Sequence, residues 1–163
     1  MSSQFNRAVA FILKWESGLV DDPQDPGGLT NFGIALNRHP ELTREDILNM
    51  TPARAAEIYH GPEYWGAIQG DQLPPIIQLP MLDASVVEGP ETAIRCLQRA
   101  LEVTDDGVLG PITLKQATVM AGDGLVQNIG AERIVQMSKT GNWPHDRRGW
   151  ARRVIAASIG ALS

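Results

Sequence analysis

The stretch at residues 16–34, ESGLVDDPQDPGGLTNFGI, decides how this sequence is interpreted. It opens with an acid at the end of an amphipathic segment and continues into DDPQDPGG at residues 21–28. Two prolines, two glycines and three aspartates within eight residues favour turns over regular structure. The pattern therefore predicts a helix that is followed at once by an irregular loop.

The segment before this stretch carries an apolar stripe. Phe5, Val9 and Ile12 recur at spacings of three and four, which predicts an amphipathic helix over about residues 4–16. The next position on the stripe is Glu16, so an acid stands where the pattern asks for a hydrophobe. Partial burial against Trp15 favours the neutral carboxyl that a general acid needs. A helix-end glutamate with its head group in water is the simpler alternative.

Two further polar residues follow in the loop. Asp25 lies nine residues after Glu16, and Thr30 lies fourteen after it. Glycosidic cleavage needs a protonated carboxyl for the leaving oxygen, and a second group that activates water or stabilises positive charge. Glu16, Asp25 and Thr30 supply this chemistry if they line one cleft.

The same nineteen residues resemble the signature of the glycosyl hydrolase family 108 lysozymes, E-G-G-Y-V-x-D-P-x-D-x-G-G-x-T-x-x-G-I, at eleven positions. The matches are Glu16, Gly18, Val20, Asp22, Pro23, Asp25, Gly27, Gly28, Thr30, Gly33 and Ile34. Ser17 replaces a usual glycine, and Leu19 replaces a usual aromatic that would face a sugar. The resemblance continues through YHGPEYW at residues 59–65, the next helix pair and VTDDGVLGPITLKQA at residues 103–117. The last segment is similar to an associated peptidoglycan-binding-like helical region.

This resemblance implies a peptidoglycan N-acetylmuramidase with Glu16 as its catalytic acid. It implies cleavage of the β-1,4 bond between N-acetylmuramic acid and N-acetylglucosamine. The order of Glu16, Asp25 and Thr30 also resembles the catalytic triad of phage-type lysozymes, and the roles of the last two are our interpretation. The candidate substrate-binding residues are Asn31, Tyr64 and Trp65. No cofactor and no metal is implied.

The remaining chain predicts a mainly α-helical, lysozyme-like fold with two lobes. Short helices are expected at residues 43–50 and 51–59, where Thr43 and Thr51 are suitable N-caps. The proline-rich GDQLPPIIQLP at residues 70–80 indicates an extended connector. We therefore predict a catalytic lobe at residues 1–80 and a helical, peptidoglycan-binding-like lobe at residues 81–163. Apolar spacing near 3.6 predicts its helices at residues 82–87, 90–102, 111–121, 125–137 and 147–162.

Charge and cysteine content indicate which classes of partner and which cellular compartment are expected. The net charge is −5, but six basic and two acidic residues from position 132 onward give +4, so the first 131 residues carry −9. An acidic body argues against nucleic acid as a partner. Cys96, the single cysteine, is predicted to be a small core residue. With no signal peptide recognised, synthesis in the cytoplasm and action in the periplasm or cell wall after release are expected.

Metal sites are weakly supported by the sequence. Asp21, Asp22 and Asp25 suggest a calcium loop, but Pro23 breaks the spacing of an EF-hand. The three histidines lie in predicted loops without cysteine or carboxylate at ligand spacing, which argues against a zinc amidase.

A basic stripe is predicted on the last helix, formed by Arg147, Arg148, Arg152 and Arg153 beside an apolar stripe. A solvated helix face is the simplest interpretation, and weak attraction to an anionic wall polymer or membrane is the alternative. Two other functions stay open: a non-catalytic peptidoglycan-binding or secretion-helper protein on the same fold, and a membrane-lytic protein acting through this helix. A monomer is expected.

Overall fold

The first helix, α1, carries the apolar stripe that the sequence predicts. The computed structural model of the protein describes residues 1–16, 18–21 and 28–163, and α1 spans Ser3–Trp15. The Ser2 hydroxyl accepts a hydrogen bond from the Phe5 amide at 3.1 Å and caps the helix. The apolar stripe is buried, and Glu16 follows as the C-cap residue. The predicted helix is therefore confirmed to within one residue at each end.

The described residues form eight α-helices, three short strands and two single 3₁₀ turns. After α1 the elements are β1 Leu19–Val20, β2 Thr30–Asn31, β3 Ile34–Ala35, a 3₁₀ turn Leu36–Arg38, α2 Arg44–Leu48, α3 Pro52–His60, a 3₁₀ turn Gly70–Gln72, α4 Pro75–Glu88, α5 Pro90–Ala100, α6 Pro111–Val119, α7 Asp123–Ser138 and α8 Trp143–Leu162. The predicted mainly α class is confirmed. The sequence did not predict the strands, which are only two residues each.

A small antiparallel sheet follows α1, with strand order β1-β2-β3. The β2–β3 turn consists of Phe32 and Gly33, whose φ angles of 49° and 77° are both positive, as in a type I′ hairpin turn. The turn lies against the end of α1: a Cβ at Gly33 would stand 2.9 Å from Glu16 Cγ and 2.5 Å from the Tyr59 hydroxyl. Glycine is therefore needed here for both conformation and space. The predicted irregular loop at residues 21–28 lies mostly outside the described residues.

Two threonines begin the short helices α2 and α3, as predicted. The Thr43 hydroxyl accepts from the Asp46 amide at 3.2 Å, while the Asp46 carboxylate accepts from the Thr43 amide at 2.7 Å. This reciprocal pair is a capping box. The Thr51 hydroxyl accepts from the Arg54 amide at 3.2 Å, and a proline occupies the first turn of α3. Both predicted N-caps are confirmed.

The expectation of an extended connector at residues 70–80 is wrong for its second half, because α4 begins at Pro75. Proline is tolerated in the first turn of a helix, whereas Pro80 lies inside α4, where a proline typically costs about 3 kcal/mol. Residues 77–85 are all buried, so packing around α4 offsets this cost. Helix α4 contacts α1, α5, α7 and α8. The predicted lobe boundary at residue 80 falls inside this central helix, and the division into two lobes stays a prediction.

The C-terminal helices pack around α4. Helix α8 begins four residues earlier than predicted, with Pro144 in its first turn. Its buried contacts come from Val154 and Ala157, and it approaches α7 closely at Gly130, where an added Cβ would stand 3.0 Å from the Ser158 hydroxyl. Within the described part of the chain, no helix combines the length and apolar character needed to cross a membrane. Cys96 on α5 is buried, as predicted.

We expect Gly33→Ala to destabilise the protein by roughly 2–4 kcal/mol, because a positive φ and two close contacts both oppose a Cβ. Gly28→Ala is the matched control, since Gly28 also has a positive φ, 63°, but an added Cβ meets no atom of the described residues within 4 Å. Its expected cost is only about 1 kcal/mol. Urea unfolding measures both; equal losses would show that the turn does not press on α1.

We expect the Cys96 thiol to resist Ellman's reagent in the folded protein. Burial raises the pKa of this thiol to about 11, so about one molecule in a thousand carries the thiolate at pH 8. The control is the same reaction in guanidinium chloride, where the exposed thiol should react within minutes. Rapid reaction of the native protein would contradict the predicted core position.

Candidate active site

Glu16 lies at the junction of α1 and the small sheet. Its side chain is 25% exposed, so most of it is covered by neighbouring residues. The Gly33 turn covers its Cβ and Cγ atoms, and Tyr59 lies on the same side. The predicted partial burial of Glu16 is therefore present. Trp15, the neighbour expected to shield it, is itself exposed.

Arg153 from α8 forms an ion pair with Glu16. Its Nη1 donates to Glu16 Oε1, and its Nε donates at 2.7 Å to Asp83 Oδ1 on α4. Asp83 is fully buried and Arg153 is 11% exposed. The Arg153 Cζ atom lies 6.0 Å from the centre of the Trp15 ring, within reach of a cation–π contact. One guanidinium therefore joins the end of α1 to α4.

The pairing continues deeper into the protein. Arg133 on α7 donates through Nη2 to Asp83 Oδ2 at 2.9 Å and through Nε to Glu88 Oε1 at 2.7 Å. Burial opposes the charged form of Arg133, but the charges of Asp83 and Glu88 outweigh it and raise its pKa. Burial raises the pKa of Glu88. The positive charge of Arg133 lowers this pKa, but by less than burial raises it. We call Glu16, Arg153, Asp83, Arg133 and Glu88 the charge network.

Tyr59 supplies a neutral hydroxyl beside Glu16. It donates to the Phe32 carbonyl at 2.8 Å and so holds the hairpin turn in place. Burial raises the pKa of Tyr59 far above its ordinary value, and the negative charge of Glu16 raises it further. Tyr59 therefore stays protonated and acts as a hydrogen-bond donor.

The other predicted catalytic residues are placed as follows. Thr30 lies in β2 opposite Val20 of β1, and its hydroxyl donates to the Gly28 carbonyl at 3.4 Å. Thr30 thus shares a small sheet with the strand that begins three residues after Glu16. Asp25 lies outside the described residues, as do Asp22 and most of the suggested calcium loop. Within the described residues, no group of three or more His, Cys, Asp or Glu side chains is arranged to hold a metal.

The three predicted substrate-binding residues differ in their surroundings. Asn31 is buried, and its amide donates to the Ile47 carbonyl at 3.0 Å. Trp65 is only 2% exposed and packs edge-on against Phe5, with ring centroids 5.1 Å apart. These placements favour packing roles for both. Tyr64 is half-buried, and its hydroxyl lies 3.1 Å from His39 Nε2.

The structure corrects one part of the predicted basic stripe. Arg147, Arg148 and Arg152 are exposed, but Arg153 turns inward to Glu16 and Asp83. In the sequence Arg153 lies one residue before Val154, which is buried. Periodicity alone is therefore compatible with two positions for Arg153, on the exposed basic stripe or at the edge of the apolar stripe. Weak attraction to a wall or membrane surface therefore involves at most the three outer arginines.

Sequence reasoning also missed Asp83 and Arg133. Asp83 stands inside the apolar run IIQLPMLDASVV at residues 76–87, and Arg133 follows Val126 and Ile129 on the buried face of α7. A charged residue on an apolar face was the available signal, because such residues are rarely buried without a partner. Neither signal identifies the partner, because Asp83 and Arg133, which pair with each other, are fifty residues apart along the chain.

Comparisons with known proteins agree with this geometry. The structure of Brucella abortus SagA matches with a TM-score of 0.86 and 31% sequence identity, covering 97% of this chain and 93% of that chain. No curated protein is significantly similar to the sequence. The family model for glycosyl hydrolase 108 matches residues 9–89, a range that contains Glu16, the hairpin turn and Asp83. These matches confirm the predicted lysozyme-like fold, and the chain belongs to the glycosyl hydrolase 108 family.

Proposed function

We propose that this protein is an N-acetylmuramidase that hydrolyses the β-1,4 bond between N-acetylmuramic acid and N-acetylglucosamine in peptidoglycan. The observation that carries the proposal is the placement of Glu16, the acid of the family motif, at a helix end with a partly exposed side chain and a fixed partner. A general acid must reach substrate and be held in one orientation. The partial exposure of Glu16 and its ion pair with Arg153 support this role.

In the proposed reaction Glu16 donates a proton to the glycosidic oxygen as the bond to the anomeric carbon breaks. Asp25 and Thr30 activate the attacking water or stabilise the positive charge on the sugar ring. Of the predicted substrate-binding residues Asn31, Tyr64 and Trp65, Tyr64 is the most exposed and is the first candidate for contact with a sugar. The substrate belongs to the cell wall, so the proposed place of action is the periplasm or wall.

The first test measures turbidity loss of chloroform-treated Gram-negative cells with wild type and Glu16→Gln. Removing a general acid should lower the rate by about 100-fold or more. Glu132→Gln is the matched control, because Glu132 is 31% exposed and pairs with Arg99 at 2.9 Å, as Glu16 pairs with Arg153. Its rate should stay close to that of wild type. Circular dichroism checks that all three proteins are folded.

Mass spectrometry of the released fragments separates the candidate reactions. Reducing ends on N-acetylmuramic acid support the proposal, whereas reducing ends on N-acetylglucosamine or an anhydro sugar would assign a different cleavage. A folded wild type that clears no cells but still sediments with purified peptidoglycan would replace the proposal with a non-catalytic binding function.

A separate prediction concerns the second catalytic group. Asp25→Asn should lower the clearing rate by about 100-fold, and Thr30→Val by a smaller factor, because a neutral hydroxyl contributes less than a carboxylate to charge stabilisation. Asp21→Asn is the control, since Asp21 pairs with Arg44 at the surface. If Asp25→Asn retains the wild-type rate, the second role passes to another group.

A further inference from the structure

We infer that Arg153 is a positioning residue for cleavage: it holds Glu16 through a buried anchor on Asp83 and stabilises the carboxylate left when Glu16 has donated its proton. The inference rests on the proposed role of Glu16 as the general acid. It adds a function for a residue of the last helix, 137 positions along the chain from that acid.

The geometry of the guanidinium supports a fixed position. Nε is bound to Asp83 while Nη1 is bound to Glu16, so the planar fork of Arg153 is held from two sides. Asp83 cannot move toward solvent, because it is fully buried and also bound to Arg133. The Trp15 ring lies 6.0 Å from the Arg153 Cζ atom. Glu16 therefore pairs with a cation whose own position is set by the core.

The hydrogen bonding of Arg153 is incomplete. Its Nη2 is buried and finds no hydrogen-bond partner among the described residues. A buried donor without a partner typically costs about 1–3 kcal/mol. The orientation that directs Nη1 to Glu16 therefore carries a cost in stability.

The charge of Arg153 matters at the moment of proton transfer. The bond between the anomeric carbon and the glycosidic oxygen breaks, its electron pair goes to the oxygen, and the proton of Glu16 joins that oxygen. Water supplies the hydroxyl of the new reducing end. Glu16 thereby gains a negative charge that Arg153 neutralises at contact distance. The interaction is stronger after transfer than before it, so it lowers the barrier.

The other groups near Glu16 cannot replace this contribution. Tyr59 from α3 is a neutral donor bound to the Phe32 carbonyl, and Tyr64 is neutral and bound to His39. Asp83 on α4 lies behind Arg153 and is negative. Arg133 on α7 lies one step further and is shared between two carboxylates. Among these groups, Arg153 is the cation in direct contact with the acid.

The test measures kcat and KM for wild type and Arg153→Gln on soluble peptidoglycan fragments. Losing the cation should lower kcat about tenfold, because the carboxylate formed by proton transfer loses its charged partner. KM should change less than twofold. Arg153→Lys should recover part of the kcat, since it keeps the charge without the fork.

Asp83→Asn tests the anchor. Without the carboxylate that holds Nε, Arg153 is placed less firmly against Glu16, so kcat should fall while KM changes less than twofold. Arg99→Gln is the matched control, because Arg99 is also partly buried and pairs with two carboxylates, Asp105 and Glu132. Its kcat and KM should match those of wild type.

A lowered kcat with little change of KM in Arg153→Gln, partly recovered in Arg153→Lys, supports the inference. A folded Arg153→Gln with a kcat within twofold of wild type would overturn it and leave Arg153 a structural role. If Asp83→Asn does not fold, the comparison of Arg153→Gln, Arg153→Lys and Arg99→Gln decides the question alone.

A second readout separates this inference from the proposed function. Carbon-13 NMR of the Glu16 carboxyl at one fixed pH reports its contact with Arg153 without any substrate. Its chemical shift should change in Arg153→Gln and stay at the wild-type value in Arg99→Gln. If that difference is found but the wild type cleaves no peptidoglycan, the contact between Arg153 and Glu16 is retained and the muramidase is refuted. If the wild type cleaves and that difference is absent, the muramidase is retained and the inference is refuted.

Discussion

The position of Asp83 between two guanidinium groups is the constraint on which the site depends. Each oxygen of this fully buried carboxylate accepts from a different arginine, Arg133 at 2.9 Å and Arg153 at 2.7 Å. Removing one partner from a buried ion pair typically costs about 3–5 kcal/mol, because the other charge is left uncompensated. Asp83, Arg133 and Arg153 therefore fix the relative positions of α4, α7 and α8. A shift of one helix against the others would break these hydrogen bonds.

The arrangement also determines where the acid stands. Glu16 belongs to α1, which packs on α4, but the contact that orients its carboxyl comes from α8 through Arg153. On the opposite side the hairpin turn at Gly33 approaches the Cβ and Cγ atoms so closely that no side chain fits there. Among the described residues, Glu16 is thus confined between a charged partner and a backbone turn, and its side chain is 25% exposed.

Local patterns in the sequence predicted the local structure well, for reasons that residues such as Thr43, Thr51 and Cys96 make clear. An N-cap depends on the three residues that follow it, and a stripe depends on spacings of three and four, so both are visible along the chain. Pro80 misled the prediction because its cost is local, while the burial that offsets it comes from four other helices. The hairpin was missed because two-residue strands show no alternation.

The same limit applies to the site. The family motif placed the acid at Glu16, but Arg153 and Asp83 are 137 and 67 positions away from it along the chain, and no short-range pattern couples them. Periodicity identified α8 as a helix with basic and apolar stripes. Arg153 lies at the border between the two stripes, so periodicity does not determine whether its side chain points to solvent or to the core. The buried Asp83 draws it inward, and only the tertiary structure brings these two residues together.

The composition of the charge network suggests why such costly groups are buried at all. Well-packed apolar residues often replace a buried ion pair with no loss of stability. Here the network contains three carboxylates and two guanidinium groups, and burial raises the pKa of Glu88, which favours its neutral form. Among the described residues, Arg153 Nη2 has no hydrogen-bond partner. The network joins α4, α7 and α8 and ends at the partly exposed Glu16, so its buried charges fix the position of that carboxylate as well as the packing of the helices.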